Sequence, residues 1–226
     1  MRSDACPRGG MADTQGLGPC GASRAGSIPA GGTHRGVSRI IFMPAKISSV
    51  SVFHGFGCTP NGMWFPWIHK KLEADGFPSV VPALPDPLNP TMAKWMRAAT
   101  PVAENWDERS VVIGHSIGGV LALRLLEHVC KKKIFALILV APPFASFVSV
   151  KQMETAFAFP IDWRKLRSLA KNIVIIQSKN DPVVPFDHGF RYREALEAKL
   201  VMTKKDGHFI GRTASVVWRE FQRMIK

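Results

Sequence analysis

Residues 110–119 read SVVIGHSIGG, and the rest of the chain is interpreted outward from this stretch. A β-branched apolar run ends at a glycine, a serine follows, and a glycine pair opens an apolar segment that extends from Val120 to about Cys130. The β-branched run favours a strand and the longer apolar segment favours a helix, and neither expectation depends on the glycines. The stretch therefore predicts a strand, a sharp turn and a helix.

The centre of this stretch has the pattern G-x-S-x-G, in which Ser116 lies two positions from Gly114 and two from Gly118. A serine on a strand-to-helix turn adopts a strained backbone, so its neighbours at those positions must be nearly free of side chains. The turn exposes the hydroxyl, and the helix start directs free N–H groups at a reacting carbonyl. We predict Ser116 as a nucleophile and the N–H of Ile117 as an oxyanion donor. A purely structural turn in a Rossmann-like fold is the alternative.

The composition is that of a globular, strongly basic protein. A chain of 226 residues with 46% hydrophobic content can bury one large core. Thirty Lys and Arg against seventeen Asp and Glu give a net charge of +13, which permits weak attraction to nucleic acid or to an anionic membrane. The positive residues are scattered and do not alternate with aromatic ones, so we expect no nucleic-acid partner.

The cysteines and the apolar runs indicate the compartment. The four cysteines form no C-x-x-C pair and have no metal-ligand spacing, so we expect reduced thiols and no metal site. The longest apolar run, residues 134–143, is shorter than the roughly 18 residues that span a bilayer. The N-terminus also lacks the apolar core of a signal peptide. We therefore expect a cytoplasmic protein with no membrane span.

Residues 1–45 differ in composition from the rest of the chain. They are rich in Gly, Ala, Ser, Arg and Pro and lack apolar periodicity. We expect a disordered extension or a mis-called one, with Met43 as an alternative start. The folded domain then comprises residues 46–226.

Strands and helices are predicted to alternate along the folded domain. The strands are expected at residues 47–54, 80–81, 110–113, 134–140, 173–177 and 200–203, and the helices at about 64–72, 92–105, 120–130, 186–198 and 213–224. Residues 142–162 have little periodicity and are expected to form a loop or small cap. This alternation predicts a three-layer α/β fold with a doubly wound, mostly parallel sheet.

Two polar residues follow the last two predicted strands. A serine hydroxyl needs a base within hydrogen-bond reach, and the base needs an orienting acid. In a parallel sheet such groups lie at the carboxyl ends of strands, where Asp181 and His208 are found. Asp187 or Asp206 could supply the acid instead, and His208 could be an ordinary loop histidine.

These segments resemble the α/β-hydrolase superfamily. The order Ser116, Asp181, His208 and the motifs GHSIGG at 114–119, NDPVVP at 180–185 and GHF at 207–209 match its pattern. The segment LPDP at 84–87 is similar to the compact retinoblastoma-binding-protein-type serine hydrolases. The resemblance covers roughly residues 50–221 and implies an α/β-hydrolase fold with a small or absent cap. It also implies a Ser116 nucleophile, a His208 base and an Asp181 orienting acid, with no cofactor.

The loop after the first strand is similar to the family's His-Gly turn. In the segment HGFG at 54–57, the resemblance implies that the N–H of Phe56 is the second oxyanion donor. Compact relatives carry further glycines here, whereas this chain continues with Cys58-Thr59-Pro60. We expect His54 to be a structural hydrogen-bonding residue and His115 to point away from the site.

The expected activity is that of a carboxylesterase-like serine hydrolase. It would cleave a carboxylic ester, an amide or a thioester of a small-molecule acyl substrate through an acyl-enzyme. The alternative is a non-catalytic protein-interaction module on a hydrolase scaffold, because a fold does not determine a function. The sequence identifies neither the substrate nor the oligomeric state.

Overall fold

Six parallel strands form one sheet in the computed structural model, which describes residues 47–146 and 151–226. The expected N-terminal extension lies outside these ranges. The strands are β1 Ser49–Phe53, β2 Ser79–Val80, β3 Ser110–His115, β4 Ile134–Val140, β5 Ala170–Ser178 and β6 Lys199–Thr203, in the order β2-β1-β3-β4-β5-β6. The helices are α1 Phe65–Ala74, α2 Met92–Ala103, α3 Ile117–His128, α4 Trp163–Leu169, α5 Asp187–Leu196 and α6 Ser215–Ile225, with a 3₁₀ helix at Lys151–Ala156.

Each face of the sheet is covered by helices. Alternate residues of a strand point to opposite faces: Val112 belongs to the core cluster that includes buried residues of α2, α3, α4 and α5, whereas Val111 and Ile113 belong to the cluster that includes those of α1 and α6. The central strands are apolar on both faces, as expected for a parallel sheet between two helical layers. This confirms the predicted three-layer architecture. Within the described residues, no helix combines the length and apolar character needed to cross a bilayer.

Helix α4 was not predicted from the sequence. It has seven residues, too few for an apolar periodicity, and it begins where the Asp162 side chain accepts a hydrogen bond from the N–H of Lys165 at 2.9 Å. Strand β5 begins at Ala170, three residues before its predicted start. Helix α3 begins at Ile117 and not at Val120, because the glycine pair is part of its first turn.

A buried ion pair attaches the segment before α4 to α3. The Arg124 guanidinium lies 3.1 Å from Glu127 and donates hydrogen bonds to the carbonyl oxygens of Ala156, Phe159 and Pro160. The second carboxylate oxygen of Glu127 accepts the N–H of Asp162 at 2.7 Å. Both charged side chains are nearly inaccessible, and each has hydrogen-bond partners that compensate for its burial.

The turn between β3 and α3 allows no side chain at Gly114 or at Gly118. A β-carbon on Gly118 would lie 2.4 Å from the carbonyl oxygen of His54 and 2.6 Å from that of Phe53. A β-carbon on Gly114 would lie 2.5 Å from the α-carbon of Gly119. The predicted need for residues without side chains is confirmed, and its cause is contact between backbones.

Replacing Gly118 by alanine should therefore destabilise the fold. The clash involves backbone atoms that cannot rotate away, so we expect a loss of about 3 kcal/mol, the upper part of the usual range for overpacking. Thermal unfolding followed by circular dichroism would measure it as a fall of about 2–4 °C per kcal/mol in the melting temperature. Gly211→Ala is the matched control, since its β-carbon would meet only ordinary contacts, the nearest at 3.6 Å. Equal melting temperatures for Gly118→Ala and the parent would contradict this account.

Candidate active site

Ser116 occupies the turn between β3 and α3 in a conformation that few residues adopt. Its φ is +54° and its ψ is −128°, and its own N–H donates to the carbonyl of Val140 at 2.8 Å. The side chain borders Gly55, where an added β-carbon would lie 3.0 Å from the β-carbon of Ser116. Ser116 is buried, with 6% of its surface exposed, and its hydroxyl makes no hydrogen bond within the described residues, so no protein group occupies it.

Two backbone N–H groups near this turn have no acceptor among the described residues. One belongs to Ile117, the first residue of α3. The other belongs to Phe56, inside a turn that the N–H of Cys58 closes on the carbonyl of Gly55 at 3.4 Å. These are the two groups predicted as oxyanion donors, and the structure leaves both free to bind an oxygen atom.

Asp181 and His208 are directly hydrogen bonded, although 27 residues separate them in the chain. The Nδ1–H of His208 donates to Oδ2 of Asp181 at 2.9 Å, which leaves Nε2 of the ring as the acceptor. The other carboxylate oxygen accepts the N–H groups of Val183 at 2.8 Å and Val184 at 2.9 Å. The Asp181 side chain is completely buried, and these three bonds compensate the carboxylate for the loss of water.

The two alternative acids do not contact the histidine. Asp187 lies in the first turn of α5 and Asp206 on the loop after β6, and both are exposed. The acid hydrogen bonded to the His208 ring is Asp181, through Nδ1. The structure therefore pairs His208 with Asp181 and with neither alternative.

The expectation that His115 points away from the site is wrong, because its side chain contacts the loop of His208. Its ring nitrogen Nε2 donates to the carbonyl oxygen of His208 at 2.8 Å, and the two ring centroids lie 5.0 Å apart. His54, by contrast, is the structural hydrogen-bonding residue that we expected. Its Nδ1–H donates to the carbonyl of Gly55 at 3.1 Å and its Nε2 accepts the N–H of Leu84 at 3.2 Å.

The loop after β4 borders the serine and is fixed by α5. The hydroxyl of Tyr192 donates to the carbonyl of Pro143 at 2.8 Å, and Nδ1 of His188 accepts the N–H of Phe144 at 3.0 Å. The ring of Phe144 stacks on Trp163 with centroids 5.0 Å apart. Side chains of α4 and α5 therefore hold the ring of Phe144 in place.

A large apolar cavity lies away from these residues. It has a volume of about 690 Å³ and is lined by α2, the second half of α3 and residues 155–160. Arg124 in its wall is eight residues along α3 from Ser116, about 12 Å at the usual helical rise. None of the predicted site residues lines this cavity, so we do not assign the reacting carbonyl to it. Among the described residues, no cluster of three His, Cys, Asp or Glu side chains could hold a metal ion.

The buried His115 should make the fold sensitive to acid. Burial, and then the neighbouring His208, lower the pKa of His115 to about 3, compared with 6.5 for an unperturbed histidine. Below about pH 6.5 His115 is therefore protonated in the unfolded chain but stays neutral in the folded chain. Its contribution to the free energy of unfolding is complete above that pH and decreases as pH falls. We expect His115→Gln, which keeps a hydrogen-bond donor, to reduce this slope by up to about 1.4 kcal/mol per pH unit in urea unfolding.

His128→Gln, which replaces an exposed histidine, is the control for this experiment. Burial also lowers the pKa of His54 and of His188, so part of the slope should persist in the His115 variant. An unchanged slope between pH 6.5 and pH 4 in His115→Gln would contradict the interpretation.

Comparison with known proteins identifies the family. The serine hydrolase family model matches residues 50–226. YdeN of Bacillus subtilis, named as a hydrolase, is 30% identical over 162 residues, which cover 71% of this chain and 85% of YdeN. The serine hydrolase RBBP9 of Rattus norvegicus is 29% identical over 161 residues, which cover 69% of this chain and 83% of that protein.

The fold agrees with these relationships. The crystal structure of YdeN superimposes with a TM-score of 0.75 at 26% identity, covering 78% of this chain and 98% of YdeN. An α/β-superfamily structure from Xanthomonas campestris gives a TM-score of 0.58 over 78% of this chain and 97% of its own, at 18% identity, and so shows the fold alone. The family match extends over almost all of the described residues, and the chain belongs to the serine hydrolase family of the α/β-hydrolase fold.

Proposed function

We propose that the protein cleaves carboxylic esters through an acyl-enzyme, with Ser116 as nucleophile, His208 as base and Asp181 as orienting acid. The observation that carries this proposal is the bond between Nδ1 of His208 and Asp181, which in the neutral ring makes Nε2 the acceptor. A ring in that tautomer can accept a proton from a serine hydroxyl. Amides and thioesters react through the same sequence of steps and are the nearest other substrates.

The first half-reaction acylates the serine. As substrate binds, the Ser116 hydroxyl rotates toward Nε2 of His208, transfers its proton and attacks the carbonyl carbon. The oxyanion accepts hydrogen bonds from the N–H groups of Ile117 and Phe56, and the N-terminus of α3 adds its positive dipole end. Collapse of the intermediate breaks the bond between acyl carbon and leaving oxygen, and the departing alcohol takes the proton from His208.

The second half-reaction removes the acyl group. His208 accepts a proton from water, which attacks the ester of Ser116, and then returns that proton to the serine oxygen. Asp181 stabilises the imidazolium that forms in both halves, and its two backbone hydrogen bonds keep the carboxylate in position. No step needs a metal ion or an organic cofactor.

Ester chemistry is also the activity named for several proteins that share the fold. These include metagenome-derived lipolytic enzymes, with a TM-score of 0.61 at 15% identity, and carboxylesterases from Nitrososphaera gargenis, with a TM-score of 0.60 at 13% identity. Such distant structures show the fold alone. An aryl acetate is the first substrate to assay, because its small acyl group needs little space in the binding site.

Ser116→Ala should abolish hydrolysis and leave the fold intact. We expect kcat/KM for an aryl acetate to fall at least about a thousandfold, because the nucleophile is removed. The Ser116 hydroxyl makes no hydrogen bond in the described residues, so the free energy of unfolding should change by less than about 0.5 kcal/mol. Activity near the parent level in this variant would contradict the proposed mechanism.

Asp181→Asn should lower kcat through the wrong tautomer of His208. An amide NH₂ facing Nδ1 would make that nitrogen an acceptor and place the proton on Nε2, which could then no longer act as a base. We expect kcat to fall about 10³–10⁴-fold. Asp187→Asn and Asp206→Asn are matched controls and should keep kcat within about twofold for a neutral ester, since neither carboxylate contacts His208. A loss in either control as large as in Asp181→Asn would reassign the acid.

A further inference from the structure

Four cationic side chains stand on the two loops that carry Asp181 and His208. Lys179 directly follows β5, Lys204 and Lys205 directly follow β6, and Arg212 comes four residues after His208. All four are exposed. We call Lys179, Lys204, Lys205 and Arg212 the basic rim.

Hydrogen bonds hold these two loops together. The N–H of Lys179 donates to the carbonyl of Thr203 at 2.9 Å, and the N–H of Asp206 donates to the hydroxyl of Ser178 at 3.1 Å. The N–H of Gly207 donates to the Asn180 side chain at 3.0 Å. These bonds keep Lys179 next to the loop of Lys204 and Lys205.

The chain itself limits how far the basic rim can lie from the histidine. Lys205 is three residues from His208, so their α-carbons are at most about 11 Å apart. Lys204 and Arg212 are each four residues from His208, a limit of about 14 Å. An extended lysine or arginine side chain adds several ångströms of reach toward a bound substrate.

The basic rim lacks the counter-charges that accompany many other cations of this protein. Within the described residues, none of its four side chains makes a hydrogen bond, an ion pair or a contact with an aromatic ring. Elsewhere Lys94 pairs with Asp86 at 2.6 Å and Lys199 with Glu220 at 2.7 Å. On the two loops the only acids are Asp206, which is exposed, and Asp181, which already binds His208.

We propose that this site takes acyl esters whose leaving alcohol carries a phosphate group, and that the basic rim binds that phosphate. The inference rests on the proposed function, in which His208 protonates the leaving oxygen. The leaving group must therefore lie on the His208 side of Ser116, which is the side that bears the basic rim. A phosphate dianion suits clustered lysines and the forked donors of an arginine, and unpaired cations raise its local concentration at the site.

The phosphate takes no part in bond making. Ser116 attacks the acyl carbon, the bond from that carbon to the alcohol oxygen breaks, and the alcohol leaves with the proton from His208 and with its phosphate intact. The phosphate improves the binding and orientation of the ester. This improvement should appear as a higher kcat/KM for anionic esters, and it should decrease as salt is added, because screening weakens the interaction of exposed charges.

The test compares two acetate esters that differ in charge at a distance from the reacting bond. One is the acetate ester of 4-hydroxyphenyl phosphate and the other is that of 4-methoxyphenol, and each is assayed with the full chain at about 20 mM and about 200 mM NaCl. The rim variant is Lys204→Glu with Lys205→Glu. Its matched control is Lys131→Glu with Lys132→Glu, which changes the net charge by the same amount. These two lysines lie between α3 and β4, near the amino end of β4 and so at the other end of the strands from the site.

We expect the parent to hydrolyse the phosphate ester with a kcat/KM at least about tenfold above that of the neutral ester at low salt. The control should keep this ratio, whereas the rim variant should lower it to one or below because the phosphate ester loses more of its kcat/KM than the neutral ester does. High salt should reduce the ratio in the parent.

The outcomes separate this inference from the proposed function. A kcat/KM ratio near one in the parent, or an equal fall of this ratio in the control and the rim variant, overturns the phosphate inference. The proposed function stands in either case if the neutral ester is still cleaved through Ser116. No hydrolysis of either ester by the folded parent overturns both. Phosphatidic acid in vesicles of diether phosphatidylcholine, a lipid without acyl esters, forms a further arm, and preference for it over the soluble ester would assign the phosphate to a lipid headgroup and not to a free alcohol.

Discussion

The rest of the site depends on one backbone contact, that of Gly118 with the carbonyl groups of Phe53 and His54. No side chain fits between these atoms, so the start of α3 lies directly on the end of β1. This approach places the loop after β1 beside the turn that carries Ser116, and with it the free N–H of Phe56. A helix start held further from β1 would leave the serine and its two candidate oxyanion donors on separate surfaces.

The parallel sheet then brings distant parts of the sequence to one edge. Ser116 follows β3, Asp181 follows β5 and His208 lies on the loop after β6, and the carboxyl ends of parallel strands share one edge. Hydrogen bonds then fix the acid and the loop that carries the base. Two N–H groups position the Asp181 carboxylate, and the His115 side chain supports the carbonyl of His208. The two loops that carry the acid and the base also carry the basic rim, so binding of a charged leaving group and proton transfer would share one rigid platform.

The strands and the triad candidates could be predicted because their signals are local. Apolar β-branched runs indicate strands. Because functional side chains lie at the carboxyl ends of parallel strands, the positions of Asp181 and His208 after two such strands predict that they lie close together. Helix α4 could not be predicted, because its position depends on long-range bonds from buried Arg124 and Glu127 to the preceding segment. The contact of His115 with the His208 carbonyl spans 93 residues and has no sequence signature.

Site mapping of a fluorophosphonate adduct tests whether His208 activates Ser116. The probe reacts with activated serines, and tandem mass spectrometry of the digested protein locates the modified residue. We expect an adduct on Ser116 in the parent and labelling slowed by at least about a thousandfold in His208→Ala. An adduct on another residue, or labelling of folded His208→Ala at the parent rate, would contradict it.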